Sequence, residues 1–233
     1  MDNCNLPKEK KGDEIRKMFS QIAPSYDFLN HFLSFHFDKI WRKKAVKIFS
    51  PKPNEIYLDL CCGTGDFGIE LKKRGETKII GLDFSLEMLK IARKKNDKID
   101  FVNGDALLMP FKNETFDGCI VAFGIRNFEN LEKGIKETGR ILKKDALFVI
   151  LEFPNKVKGV ISPIFKLYFR LLLPLIGRIF SKSEFAYTYL PESTKYFPSK
   201  EDLKEIFKRC GYEVVEMKER TFGIVLEITL RRI

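Results

Sequence analysis

Apolar residues along this chain come in two rhythms. Short runs at 56–61, 78–82, 99–102, 116–122 and 146–152 are almost wholly apolar, as strands buried on both faces are. Between them, at 66–74, 85–95 and 129–142, apolar positions recur every three or four residues, the spacing of a helix with one buried face. Strands alternating with helices predict a parallel sheet with right-handed crossovers. Upstream, residues 13–50 read as helices with aromatic faces, closed by Ser50-Pro51-Lys52-Pro53. Asp83-Phe84-Ser85 followed by Glu87 marks a helix start, with Ser85 as N-cap. After Glu152 the rhythm changes, and residues 155–197 form a long aromatic stretch broken by prolines. A helix at 199–209 ends on Cys210-Gly211, a C-cap signal. Two strands near 212–219 and 222–230, joined at Arg220-Thr221, predict an antiparallel pair that closes the sheet. The expectation is one α/β domain spanning 1–233, with a helical cap at 1–50 and an aromatic helical insertion at 155–197.

What stands at the strand ends carries the chemistry. The first strand runs into Gly63-Thr64-Gly65, and the next ends in Asp83. Strand, glycine turn, helix, strand, acid is the plan of a nucleotide-binding βαβ unit. Glycines let backbone N–H groups approach a ligand closely, and the acid can accept hydrogen bonds from both ribose hydroxyls. The third strand ends in Asn103-Gly104-Asp105-Ala106, where an Asp followed by a backbone N–H can read an adenine edge. The fourth ends in Ala122-Phe123-Gly124-Ile125-Arg126-Asn127. Open α/β sheets bind ligands at this edge. The turn is not G-x-G-x-x-G, which argues against a dinucleotide. Asp59-x-Cys61-x-Gly63-x-Gly65 is similar to the turn of S-adenosylmethionine methyltransferases, with Cys61 where those carry a glycine.

Charge adds a partner. Lys and Arg number 42 against 32 Asp and Glu, a net charge of +10. That favours a nucleic acid, an acidic membrane surface or an anionic substrate. Five Cys without a C-x-x-C pair, and two His away from metal-ligand spacing, argue against disulfides and structural zinc and fit a reduced cytoplasm. The N-terminus is charged and lacks an apolar signal core. The apolar region 160–180 carries Lys166, Arg170 and Arg178 and is cut by Pro163 and Pro174, so it is too interrupted to span a bilayer.

A more specific resemblance emerges from four segments. Lys17 to Asn30 (KMFSQIAPSYDFLN), then Leu33-Ser34-Phe35 and Trp41-Arg42, resembles the amino-terminal signature of the ubiquinone/menaquinone-biosynthesis C-methyltransferases. Leu58 to Asp66 is similar to their cofactor motif, and Phe123-Gly124-Ile125-Arg126-Asn127 to their F-G-L/I-R-N motif. Tyr189-Leu190-Pro191-Glu192-Ser193 resembles a further signature. The Cys61-Cys62-Gly63-Thr64 form looks most like demethylmenaquinone methyltransferases. The chain departs from the family at Ala122, where many members have Ser, and at Asp38, where a His is common.

The resemblance implies the class I methyltransferase fold: Rossmann-like, seven-stranded, mostly parallel with an antiparallel last strand. It implies S-adenosylmethionine held by Thr64, Asp83, Asp105 and Ala106 beside the glycines Gly63 and Gly65, with no metal. The implied substrate is a polyprenyl hydroquinol whose ring carbon attacks the sulfonium methyl. Arg126 would steady the phenolate, or serve a structural salt bridge. Tyr26 and Asp27 would orient the quinol or relay a proton, or serve helix packing. The aromatic insertion is either an added helical layer or a channel for the isoprenoid tail, with its basic residues on anionic lipid. The implied place is the inner face of the membrane, on the cytoplasmic side and without nucleic acid; a homodimer stays open. Two other functions compete: methylation of RNA or another small molecule on the same fold, and a non-enzymatic membrane-surface subunit.

Overall fold

The computed structural model describes residues 12–157, Tyr189 and 192–233. The basic insertion residues Lys166, Arg170 and Arg178, and the stretch 160–182 around them, lie outside the described residues. Strands β1 (Ile56–Leu60), β2 (Lys78–Asp83), β3 (Asp100–Asn103), β4 (Phe116–Ala122) and β5 (Leu142–Glu152) pair in parallel. Strand β7 (Val225–Arg232) lies antiparallel between β5 and β6 (Tyr212–Arg220). Among the described residues the sheet order is β3-β2-β1-β4-β5-β7-β6. This is the doubly wound arrangement expected from the sequence, and its one reversed strand is β7.

Helices cover both faces: α3 (Asp66–Lys72), α4 (Leu86–Lys95) and α5 (Leu131–Ile141) link the strands, and α6 (Lys200–Arg209) precedes β6. The period-two alternation of strands divides the core between the faces. Leu58, Leu60, Cys119, Val121, Phe148 and Ile150 pack with Ile135 of α5 and Phe207 of α6. The alternate residues Tyr57, Ile120, Val149 and Leu151 pack on the other face with Phe67 and Leu71 of α3 and with Trp41. Each large apolar side chain fully buried here stabilises by roughly 1.5–3 kcal/mol before entropy is counted.

Two helices, α1 (Gly12–Leu33) and α2 (Phe37–Ala45), form the amino-terminal cap. Met18, Ile22, Ala23 and Leu29 of α1 pack against Met88 of α4, which places α1 beside the carboxyl ends of β1 and β2. Caps fix where the helices begin. Ser85 accepts from the Met88 N–H at 3.4 Å, and Ser199 and Asp202 form a reciprocal capping box. Gly211, at φ 84, follows α6 as its C-cap signal predicted.

Helix α1 runs unbroken through Pro24. Two boundaries differ from the sequence reading. Strand β5 begins at Leu142, which pairs with Phe116, not at 146. The polar run Lys143-Lys144-Asp145 hid its start, because those positions face water. Strand β7 begins at Val225, not 222, because Thr221, Phe222 and Gly223 turn with φ of 47, 56 and 82. Trp41 Nε1 donates to Thr221 Oγ1 at 2.7 Å, pinning that turn to α2.

Candidate active site

Four strand ends and α1 enclose a cavity of about 370 Å³, within the range of small-molecule sites. Asp105, Ala106 and Leu107 after β3 form one end. Asp83 and Phe84 of the β2 end lie in the middle, and Cys61, Gly63, Ala122 and Phe123 form the other end. The strand order explains this sequence of walls, since β3, β2, β1 and β4 are neighbours. Tyr26 of α1 stands over the glycine turn; a Cβ on Gly63 would lie 3.8 Å from its ring. The same edge holds strained backbone. Cys61 and Phe123, neither of them glycine, hold φ of 52 and 60, a conformation that costs on the order of 1–3 kcal/mol and clusters at functional sites. Gly124 admits the close approach of these two turns, because a Cβ there would lie 2.8 Å from Cys61 Cβ.

Asp83 is buried, and it braces the floor. Its Oδ2 accepts from the Gly63 N–H at 2.8 Å and its Oδ1 from the Ser85 N–H at 2.9 Å. Burial pushes its carboxyl up to about 6, against the pull of those N–H donors. The carboxylate keeps acceptor capacity for a ligand hydroxyl. Asp105 is exposed, and its Oδ1 accepts from the Leu107 N–H at 2.8 Å, which folds the β3 loop under the cavity.

Thr64 and Asp27 do not line this cavity, though Thr64 lines a small chamber beside it. Thr64 Oγ1 donates to Asp27 Oδ1 at 2.5 Å, and Lys95 Nζ donates to Asp27 Oδ2 at 2.8 Å. Lys95 also pairs with Asp66, and His31 bonds Asp38 at 2.8 Å. The two residues therefore latch α1 to α3 and α4. Asp27, His31 and Asp66 bring ligand atoms within 4.8 Å of one another, but the Lys95 ammonium already supplies the positive charge there. Gly65, at φ 85, caps α3 and does not line the cavity.

The Arg126 side chain is 7% exposed, and its charge is balanced. Nη1 donates to Glu152 Oε1 at 2.7 Å and to the Phe123 carbonyl at 2.6 Å, and Nε donates to Ser193 at 3.3 Å. Of the two roles the sequence left open, the salt bridge is the one the geometry contains. Glu152 is the residue sequence reasoning missed. It ends the apolar run of β5, so the strand-end logic applied to β1–β4 would have found it. Asn127, next in the loop, does line the cavity, and its Oδ1 accepts from the Tyr189 hydroxyl at 2.9 Å.

Comparison with known proteins decides the family. The model of the ubiE/COQ5 methyltransferase family matches residues 7–229. A demethylmenaquinone methyltransferase of Bacteroides fragilis is 39% identical over 226 residues, covering 92% of this chain and 91% of that protein. One from Thermus thermophilus is 41% identical over 212 residues, covering 89% and 96%. The chain belongs to the ubiE/COQ5 methyltransferase family. As a member it is a methyltransferase whose cofactor is S-adenosylmethionine. Solved structures show the same fold. A possible histamine N-methyltransferase of Thermotoga maritima aligns with TM-score 0.66 at 21% identity, covering 94% of this chain and 100% of that one. The cyclase SpnF aligns with TM-score 0.70 at 12% identity, covering 95% and 96%. That a cyclase shares the scaffold shows that fold alone does not set chemistry.

In this methyltransferase the cavity fits the cofactor's demands: an acid at the β2 end, a glycine turn open to it and an exposed acid at the β3 end. Beneath the turn, Asp59 of β1 is buried and accepts from the Gly68 N–H at 2.7 Å. Burial pushes its carboxyl up to about 7. The folded state thus holds this proton more tightly than the unfolded chain, whose Asp titrates near ~3.9. Its contribution is complete below about pH 4 and is lost as pH rises through about 7. Asp59→Asn keeps an acceptor for Gly68 without the charge. Calorimetry of the cofactor-free protein should find the variant level with wild type below about pH 4 and increasingly more stable as pH rises, by on the order of 4 kcal/mol at pH 8. A stability difference independent of pH would refute the assignment.

Proposed function

We propose that this protein transfers the methyl group of S-adenosylmethionine to a ring carbon of demethylmenaquinol, a polyprenyl hydroquinol. The observation that carries the reading is that Tyr26 and the Phe123–Asn127 loop, segments of two family signatures, meet at one end of the same cavity. Bound there, S-adenosylmethionine supplies an electrophilic methyl group. Asp83 takes the ribose hydroxyls, while Asp105 and Ala106 take the adenine edge. Gly63 offers backbone close to the ligand. Thr64 and Gly65 act at one remove, by holding the turn.

The quinol end is polar without being charged. Burial raises the Tyr26 hydroxyl above its ordinary value, so it stays protonated and donates a hydrogen bond to a quinol oxygen. Asn127 offers a second neutral contact, fixed by Tyr189. Arg126, tied to Glu152, keeps the Phe123–Asn127 loop in place and lends its field to Tyr26. Asp27 keeps α1, and so Tyr26, over the turn. This positioning converts an encounter of two substrates into an aligned one. The chain acts as one domain, with α1 and α2 as its cap.

A station on anionic lipid at the cytoplasmic face belongs to the same reading. The cap exposes Phe32, Phe35, Phe37 and Ile40 beside the exposed Lys39, Lys43 and Lys44, the mixed face of a protein lying on a membrane. Among the described residues no helix is long and apolar enough to cross one.

The test uses purified protein and S-adenosylmethionine labelled in its methyl group, with demethylmenaquinol in acidic vesicles, a benzoquinol analogue and RNA as acceptors. Label should enter demethylmenaquinol, and high salt should slow that reaction by stripping the protein from the vesicles. Labelling of RNA alone would overturn the reading in favour of a nucleic-acid methylase.

A further inference from the structure

Among the described residues, one buried side-chain nitrogen lacks a hydrogen-bond partner: Nε of Arg42. Buried N–H groups are rarely left so, because they give up water and gain nothing. The rest of the guanidinium is engaged. Nη1 donates to Asp38 Oδ2 at 2.5 Å, and the group lies 5.8 Å from the centre of the Phe123 ring. Arg42 forms a wall of a small chamber of about 20 Å³, room for a group the size of a water molecule. Asp59 forms another wall. Tyr26, Cys61, Gly63 and Ala122 line both this chamber and the large cavity, so the chamber is a spur of it.

The spur opens at the end remote from Asp105. With adenine over β3 and ribose over β2, the amino-acid end of S-adenosylmethionine is the part that reaches β1 and β4. That end is a zwitterion, and the spur presents a guanidinium, Arg42, and two carboxylates, Asp59 and Asp66. We propose that Arg42 anchors the α-carboxylate of the cofactor's amino-acid end through Nε. The proposal rests on the cofactor placement given above.

The discriminating ligand is decarboxylated S-adenosylmethionine, which lacks only the carboxylate. Binding of both ligands is measured by titration calorimetry to wild type and to Arg42→Gln. Wild type should prefer S-adenosylmethionine by on the order of ten- to hundred-fold, as a charge-assisted hydrogen bond provides. Arg42→Gln should erase that preference while binding the decarboxylated ligand within about two-fold of wild type. A variant that keeps the preference, or that weakens both ligands alike, overturns the proposal. Because Arg42→Gln leaves the buried Asp38 without its cation, the double variant Asp38→Asn/Arg42→Gln supplies the same ratio should the single one unfold. A wild type that binds neither ligand would sink the cofactor placement itself, a different result from an unchanged ratio.

Discussion

Replacing Glu152 by Ala should destabilise the protein by about 3–5 kcal/mol, the cost of leaving a buried charge without its partner. Glu152 is fully buried, and it accepts from Arg126 Nη1 at 2.7 Å, from the Arg126 N–H at 3.3 Å and from the Phe153 N–H at 2.9 Å. Removing the carboxylate strands the guanidinium against the Phe123 carbonyl and the face of Phe153. For a chain of this size the melting temperature should fall by roughly 8–15 °C. Methyl transfer should fall as well, since the loop bearing Asn127 loses its brace. The paired variant Arg126→Met/Glu152→Leu separates the effects. Two apolar side chains of similar volume should restore most of the stability, because desolvating an ion pair offsets much of its attraction. Turnover of the quinol should stay low. An Ala variant that melts like wild type would show that the pair does not hold this loop; a Met/Leu variant with full turnover would remove Arg126 from the mechanism.

The ligand-binding edge of the sheet was legible in the sequence because its signals are local. Gly63-Thr64-Gly65, Asp83, Asp105-Ala106 and the Phe123–Asn127 loop each follow an apolar run, and the parallel order brings them to one edge. The Ser85 cap was legible for the same reason, since its partner lies three residues on. Partners distant in sequence were not. Thr64 and Asp27 are 37 positions apart, and nothing in either segment announces their hydrogen bond. The charge of Arg126 reads as available until Glu152, 26 positions later, is seen to face it. Arg42 and Asp59 look like ordinary charged residues in a helix and a strand, and only the packing of α2 over the sheet shows them buried in one chamber. A sequence reports which groups are present; burial decides which of them are costly, and costly groups need partners.

Asp83→Ala should weaken S-adenosylmethionine binding by roughly ten- to hundred-fold, the effect of losing a charged acceptor for ribose hydroxyls. Part of that loss is indirect, because the Gly63 and Ser85 N–H groups lose the carboxylate that spaces the two turns. Asp83→Asn distinguishes the parts: its amide oxygen still accepts from one turn, but the charge is gone. The free protein adds a pH signature. Burial holds the Asp83 carboxyl up to about 6, so a substantial fraction is protonated just below neutrality. A cofactor that hydrogen-bonds the ionised form must displace that proton. Affinity should therefore be constant above about pH 7 and decline as pH falls through 6, approaching tenfold per pH unit. Asp83→Asn carries no titrating group there, and its affinity should be lower and flat across the same range. Calorimetric titrations from pH 5 to 8 decide it. If the alanine variant binds as wild type does, or the asparagine variant shows the same decline at low pH, then Asp83 braces the two turns without touching the ribose, and the acceptor must be sought among the other groups at the strand ends.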